Sequence, residues 1–302
     1  MKVENINFTP NAIELIKNAY VIARKGNFNA IHPVHLFLGV LKIDCEIIKE
    51  LKAMVFIDEK YIEASLNELI MEKSFSEYVQ IKDKDSTEIN ISSLTRDILL
   101  EAKRITELYE EHGQIFIDNG QILKAILNSD EIVTKRCLKE LDKDLIISII
   151  ASPRDLIVDL SNDFTMDSIK DISIRKVGEN DKKMVREFVL EKFYERWTNT
   201  IDYGLILEDI PIYIAIHENN IVGFAGYNIS RQRKGYFGPL GVLKSYRDRK
   251  IGQVLVNACL IDMKQLGYET CIIGNASSIE FYRKACGARI VPMLEKENSN
   301  YS

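Results

Sequence analysis

From residue 4 to residue 150, apolar residues recur at 3.6-residue spacing with short polar breaks, a period that predicts helices throughout. Phe8, Thr9 and Pro10 open the first helix. Thr9 suits the N-cap and Pro10 the first turn, where a missing N–H costs nothing. Ala12, Leu15, Ile16, Ala19 and Ala23 then mark one face, predicted to be buried. Shifted by 86 residues without gaps, the pattern appears again. Thr9 falls on Thr95, Ile13 on Leu99, Leu36-Phe37-Leu38 on Ile122-Leu123-Lys124, and Val40-Leu41 on Ile126-Leu127. Each copy reads as cap, amphipathic helix, loop with a glycine (Gly26, Gly113) and second apolar helix. One copy alone leaves an apolar face uncovered, so the expectation is an all-α duplicated bundle.

The period breaks at residues 151–169, "ASPRDLIVDLSNDFTMDSI". Pro153 should end the preceding helix, and Ser, Asn and Asp then dominate. The apolar run 156–160 makes this a connector that partly packs. The expected organisation is a helical domain over 1–151, a linker over 152–168 and a second domain over 169–302.

Beyond 170 the pattern is mixed. "DISIRKV" (171–177) alternates like a strand, and 180–196 has helical spacing. "PIYIAI" (211–216) and "IVGFAGYNI" (221–229) form a hairpin around the turn 217–220, and a polar turn at 230–234 leads into "GYFGPLGV" (235–242). A helix follows with Ile251, Val254, Leu255, Ala258, Cys259, Met263 and Leu266 on one stripe. "YETCIIG" (268–274) reads as a buried strand and "ASSIEFYRKACG" (276–287) as a helix ended by Gly287. A last strand is expected over 288–292.

Composition adds limits. The chain has 302 residues, 46% apolar and 28% charged, as in an ordinary globular protein. Residues 1–150 carry 19 basic and 25 acidic groups, and residues 151–302 carry 21 and 20, so neither half makes nucleic acid the default partner. Five scattered cysteines (Cys45, Cys137, Cys259, Cys271, Cys286) without a C-x-x-C read as reduced thiols. No apolar run approaches the ~18 residues of a membrane span, and "MKVENINFTP" has no apolar leader. A cytoplasmic protein without membrane contact is expected.

The string "HPVHLFLGVL" (32–41) and the duplication resemble the N-terminal substrate- and adaptor-binding domain of Clp-family chaperone ATPases, over residues 4–150. In the second copy Gln121 stands where His35 would be matched. The resemblance implies a docking module for a protein partner. The ATPase of that family is not expected here. A P-loop needs G-x-x-x-x-G-K-[ST], and the nearest string, "GPLGVLKS" (238–245), has Leu243 where the glycine before Lys244 must let a phosphate approach. His32 and His35 have no Cys, Asp or Glu at ligand spacing, so they are read as structural and no metal site is expected.

The stretch 241–264 raises its own question, because Arg247, Arg249 and Lys250 share one short loop before Gly252 and a long helix. Taken alone, this is either a solvated turn or a cradle for a polyphosphate. The order of strand, basic loop, helix, strand and short helix with Phe281-Tyr282 resembles the GNAT acyl-CoA-dependent acetyltransferases over 170–292. Val242, the loop 247–252 and "NASSIEFYRKACGA" (275–288) carry the resemblance. The family loop reads R/Q-x-x-G-x-G/A, and here Lys250 replaces the middle glycine.

The expected fold is therefore a helical Clp N-like bundle followed by an α/β GNAT domain with a mixed, largely antiparallel sheet. The resemblance implies acetyl-CoA as co-substrate, with its diphosphate on main-chain N–H groups of the loop, among them Arg249, Lys250, Ile251, Gly252 and Gln253, beside Arg247. Seven cations lie between Arg231 and Lys250 to meet that anion. The edge of Leu240 to Val242 would pair with the pantetheine amides, and Asn275 would hold that arm or orient a water. Gly238, Pro239 and Gly241 suit a strand that splays.

Acetyl transfer needs a deprotonated amine, a stabilised oxyanion and a proton for the leaving thiolate. By resemblance Tyr282 supplies the proton and the N–H near Val242 the oxyanion contact; the plain alternative is that Tyr282 packs. Glu208, Asp209 and His217 are candidate bases by residue type only. Acceptor contacts are expected from 195–210 and 230–234, where Trp197, Tyr203 and the acidic Glu208-Asp209 hint at a cationic amine. Three readings remain open: an N-acetyltransferase acting on an unidentified amine, a non-catalytic acyl-CoA sensor or adaptor acting through the helical domain, and, from the acidic patch alone, an antibiotic-inactivating acetyltransferase.

Overall fold

Thr9 caps the first helix as its place before Pro10 predicts: its Oγ1 accepts the Ala12 N–H at 3.3 Å. This computed structural model describes residues 6–71, 75–82, 88–107, 116–193, 195–276 and 278–291; Gly113 and Pro292 lie outside the described residues. The chain divides into two units, Met1–Ser152 and Pro153–Ser302.

The first unit runs β1 (Asn7–Phe8), α1 (Pro10–Lys25), α2 (Pro33–Val40), α3 (Glu46–Met54), α4 (Glu59–Leu69), β2 (Tyr78–Lys82), β3 (Glu88–Ser92), α5 (Ser93–Glu107), β4 (Phe116–Ile117), α6 (Asn119–Leu127), α7 (Ile132–Cys137) and α8 (Lys143–Ile150). The five positions expected on the buried face of α1 are buried. Gly39 lets α2 lie against α1, since a Cβ there would sit 2.6 Å from the Leu15 carbonyl oxygen. The helical period had hidden the antiparallel hairpin β2–β3, whose alternating "EINIS" buries Ile89 and Ile91.

The duplication is present with a different register. In α5 the cap is Ser92, whose Oγ accepts the Thr95 N–H at 3.2 Å, and Thr95 donates to the Ile31 carbonyl at 2.6 Å. Thr9 N–H bonds the Ile117 carbonyl and Ser92 N–H bonds the Ile31 carbonyl, so Thr9 corresponds to Ser92, an offset of 83. With that offset, Ala12, Leu15, Ile16, Ala19 and Ala23 map onto Thr95, Ile98, Leu99, Ala102 and Thr106, all buried. The second helices keep the offset of 86, with His32 matched by Asp118. A slip of three is close to one helical turn, so apolar spacing alone cannot tell the two registers apart.

The second helices also explain Gln121. His35 Nδ1 accepts the His32 N–H at 3.0 Å, and His32 Nδ1 accepts the Val34 N–H at 3.3 Å. In α6 Gln121 Oε1 accepts the Asp118 N–H at 2.8 Å, while Asp118 Oδ1 accepts from Gly120 and Gln121. The two boxes do the same work with different acceptors. Both histidines are buried, and His32 Nε2 lies 3.5 Å from Glu131 Oε2. Burial lowers their pKa values, to about 4 for His32, where the Glu131 carboxylate opposes the shift, and to about 3 for His35, where His32 adds to it.

The second unit runs β5 (Arg154–Asp159), β6 (Ser173–Lys176), α9 (Lys182–Lys192), α10 (Glu195–Leu205), β7 (Ile212–His217), β8 (Asn220–Tyr227), β9 (Tyr236–Val242), α11 (Ile251–Gln265), β10 (Thr270–Ala276), α12 (Ile279–Cys286) and β11 (Arg289–Ile290). Its sheet has the order β11-β5-β10-β9-β8-β7-β6. Every neighbouring pair is antiparallel except β9 and β10. The 152–168 stretch read as a connector therefore contributes a strand: β5 pairs with β10 from Thr270↔Asp159 to Ala276↔Arg154 and buries Leu156 and Val158, with Leu160 buried just after it.

One core lies under α11 and α12, and a second under α9 and α10. The expected stripe of α11 is buried except Leu266, which is exposed past the last turn. Val256, Asn257 and Leu260 on its other side are buried too. The chain after β5 covers them: Asn257 Nδ2 donates to the Thr165 carbonyl at 2.8 Å, and Lys264 Nζ donates to the carbonyls of Ser161 and Asn162. All five cysteines are free and buried. Among the described residues no helix is long and apolar enough to cross a membrane, and no group of three or more His, Cys, Asp or Glu is placed to hold a metal.

Candidate functional site

The sheet opens between its two parallel strands. Pairing of β9 with β10 is confined to Tyr236↔Ile272 and Phe237↔Ile273. On one side Gly238 takes φ +121, which a side chain would resist, and Pro239 follows without an N–H. On the other side β10 bulges between Ile273 and Ala276, with Asn275 at φ 53. Leu243 N–H bonds the Val222 carbonyl of β8 at 2.9 Å. Main-chain groups alternate along a strand, so those of Leu240 and Val242 face away from β8 and into the cleft.

The basic loop begins where β9 ends. A short 3-10 turn, Lys244–Tyr246, leads through Asp248 at φ 68 to Lys250 at φ 61, the N-cap of α11. Lys250 thus adopts the left-handed conformation that a glycine would take there, at a cost of about 1 kcal/mol for a residue with a Cβ. No side chain caps α11, and its first turn holds no acidic residue. The first helical bond runs from Val254 N–H to the Lys250 carbonyl at 3.1 Å, so Ile251, Gly252 and Gln253 present N–H groups that the helix does not use. Gly252 lies under Phe281, whose Cζ would be 3.2 Å from a Cβ. Arg247 Nε donates to the Val242 carbonyl at 3.4 Å, and the Arg249 guanidinium sits over the Tyr246 ring.

The seven cations do not form one locus. Arg231, Arg233 and Lys234 are exposed before β9, whereas Lys244, Arg247, Arg249 and Lys250 follow it. The seven-residue strand between them is about 23 Å long, beyond two Debye lengths at physiological salt. Only the second group stands at the α11 N-terminus.

Tyr282 packs edge-on against Phe237 of β9, with ring centroids 6.0 Å apart, so α12 brings it beside the strand that opens. Its hydroxyl has no hydrogen-bond partner among the described residues. Burial, then the nearby Cys286 and Cys271 thiols, raise its pKa, which keeps the proton on the phenol at neutral pH. Asn275 donates its main-chain N–H to Asp155 Oδ1 at 2.9 Å, and its side chain is exposed.

The candidate bases are dispersed. His217 Nδ1 is 3.0 Å from the Tyr246 hydroxyl, at the basic loop. Asp209 pairs with Lys176 at 2.8 Å, and Lys176 also meets Asp262, which accepts from the Tyr227 hydroxyl. Glu208 is exposed. Lys176 is thus shared between Asp209 and Asp262, and the exposed Glu208 stands beside that pair. Trp197 and Tyr203 lie on α10 and pack partly into the core under α9 and α10.

Sequence reasoning missed two features of this site. Phe193, Trp197 and Phe224 form an aromatic wall against β9, and a Cβ on Gly241 would lie 2.6 Å from both Phe193 and Phe224. The close spacing of Phe188, Phe193 and Trp197 was the available signal. Asp155 had none, because nothing local to β5 shows that it will lie beside the cleft.

Two family models match parts of the chain. Residues 180–288 match the model of the acetyltransferase (GNAT) family, and residues 7–141 match the Clp repeat (R) N-terminal domain. No curated protein matches the chain. Among solved structures, a GCN5-related N-acetyltransferase from Sphaerobacter thermophilus is 20% identical, with 49% of this chain and 53% of that one covered and a TM-score of 0.38. The chain thus spans about half the length of that protein. The N-terminal domain of the chaperone ClpD from Arabidopsis thaliana is 18% identical, with 48% and 92% covered and a TM-score of 0.37. The aminoglycoside acetyltransferase meta-AAC0020 from an uncultured soil metagenomic sample is 20% identical, with 38% and 87% covered and a TM-score of 0.29. The chain thus joins a region that matches the Clp repeat N-terminal domain, residues 7–141, to one that matches the GNAT acetyltransferase family, residues 180–288.

Proposed function

We propose that the second unit transfers an acetyl group from acetyl-CoA to an amine, and that the Clp repeat unit docks a protein partner. The observation that carries the reading is the loop before α11: Lys250 in the left-handed region, three N–H groups unused by the helix, and four cations around them. N–H groups converging at a helix N-terminus bind a diphosphate. In this reading Ile251, Gly252 and Gln253 hold the diphosphate, Arg247, Arg249 and Lys250 add charge, and the β9 edge at Leu240 and Val242 receives the pantetheine arm. The Val242 N–H meets the developing oxyanion, and Tyr282 gives its proton to the departing thiolate. Asn275 lines the cleft from β10, and Trp197 and Phe193 border the acceptor side.

Calorimetric titration of acetyl-CoA into the full chain tests this reading. Saturable binding below about 1 mM is expected, within the usual range for an enzyme substrate. The double variant Arg249→Glu/Lys250→Glu should weaken binding at least about tenfold; unchanged affinity would remove the diphosphate assignment. Lys250→Gly separates shape from charge. It keeps the left-handed backbone without strain, so the protein should melt no lower than the wild type and bind within about threefold of it.

Tyr282→Phe should lower kcat by about 10- to 100-fold, with KM for acetyl-CoA unchanged, because a general acid acts only in the transition state. The assay is CoA release in the presence of spermidine, sisomicin or a lysine-containing peptide. A kcat equal to that of the wild type would leave the phenol a packing role. A second reading, acyl-CoA binding without turnover, is favoured by one observation: Asp209 is held by Lys176, His217 by Tyr246, and Glu208 faces solvent. Tight acetyl-CoA binding with no CoA release against any of the three amines would select it.

A further inference from the structure

Asp155 lies outside the stretch that matches the GNAT family and belongs to β5, the strand inserted between β10 and β11. Its Oδ1 accepts the Asn275 N–H at 2.9 Å. That bond falls inside the β10 bulge, where the register with β5 passes from Ile273↔Leu156 to Ala276↔Arg154. A bulged residue loses its ladder partner, and here a carboxylate takes the place of the missing carbonyl. On the opposite side of β10, pairing with β9 stops at Ile273↔Phe237. Asp155 takes hold of the strand two residues past its last pair with β9. Asp155 Oδ1 and the Tyr236 ring both stand over Gly274, at 3.9 Å and 3.5 Å from where its Cβ would be, so the two side chains share one face at the mouth of the cleft.

We propose that Asp155 is a positioning residue for the cleft: by anchoring the Asn275 amide it holds β10 away from β9 and sets the gap in which the β9 main chain receives the pantetheine arm. The inference rests on the acetyl-CoA reading given above. A strand recruited from before the family domain thus supplies a part of its binding site. The carboxylate acts through β10 and needs no contact with the reacting atoms.

The test uses the full chain with Asp155→Ala and Asp155→Asn, read by calorimetric titration of acetyl-CoA and by hydrogen exchange at Asn275. Loss of one charged hydrogen bond should weaken binding by Asp155→Ala about tenfold and speed exchange of the Asn275 amide by a similar factor. Asp155→Asn retains an oxygen that accepts the same N–H and should stay within about threefold of the wild type in both readouts. If alanine lowers the melting temperature into the assay range, Asp155→Thr, better suited to a strand, replaces it. Wild-type affinity in Asp155→Ala overturns the proposal. So does an equal loss in Asp155→Ala and Asp155→Asn, which would assign the effect to charge. If the wild type itself binds no acetyl-CoA, the acetyl-CoA reading fails, and the exchange arm still decides whether Asp155 anchors β10.

Discussion

A chain that begins at residue 161 should fail to fold the second unit, whereas one that begins at Pro153 should fold it. The family match starts at residue 180, so both versions contain all of it. What differs is β5. Leu156, Val158 and Leu160 are each at most 1% exposed and belong to the core under α11. At about 2 kcal/mol for each buried aliphatic side chain, an upper figure because unfolded chains are partly compact, their burial contributes about 6 kcal/mol. Whole domains are stable by only about 5–15 kcal/mol. Removing β5 also strips β11 of its neighbour and leaves β10 as an open edge, which invites aggregation. Far-UV circular dichroism and the fluorescence of Trp197 on heating decide the matter. A cooperative transition is expected for 153–302 and none for 161–302. In the full chain Val158→Asp should abolish the same transition. A fragment beginning at residue 161 that melts cooperatively at the temperature of the longer one would show that β5 is dispensable.

The Clp repeat unit should lose about 4 kcal/mol of stability between pH 7.5 and pH 5. His32 and His35 each accept a main-chain N–H through Nδ1, so protonation at that nitrogen abolishes the bond as it places a charge in the core. In the unfolded chain both rings take up protons as the pH falls through about 6.5. In the folded unit burial delays uptake to about pH 4 for His32 and about pH 3 for His35. Between those limits the unfolded state binds more protons, so stability falls with pH by about 1.4 kcal/mol per unit for each ring. Below pH 4 His32 no longer adds to the loss.

Hydrogen exchange of the α2 amides, compared at the two pH values after correction for intrinsic rates, reads this directly. His35→Gln reproduces the box found in α6. It should cost about 1 kcal/mol at pH 7.5, from lost packing on Phe28, and about halve the pH dependence. Protection of α2 that is the same at pH 5 and pH 7.5 would contradict the burial argument.

Much of the fold was legible along the chain because its signals are local. A cap followed by proline starts a helix wherever it occurs, and α1 begins at Pro10 and buries the expected positions. Alternation in "IYIAI" and "IVGFAGY" marks two strands around a two-residue turn, and Glu218 and Asn219 both take the positive φ that such a hairpin needs. Gly287 ends α12 at φ 67. The loop before α11 was legible from its cations and its place between strand and helix. Its shape was not, because a lysine does not announce a left-handed φ.

What the chain determined by itself was the type and position of most elements, since period, caps and turn residues act within a few residues of each other. Tertiary structure decided everything that depends on partners. It set the offset of 83 between α1 and α5, because a slip of one turn leaves the apolar spacing nearly unchanged and only the bonds to Ile117 and Ile31 distinguish the registers. It drew Arg154–Asp159 into the sheet, because an apolar run of that length packs wherever a strand edge is open. It parted the seven cations by the length of β9 and brought Asp155 to Asn275 across 120 positions of sequence. Burial and hydrogen bonding between distant segments are settled by the whole core at once, and no short window of sequence contains them.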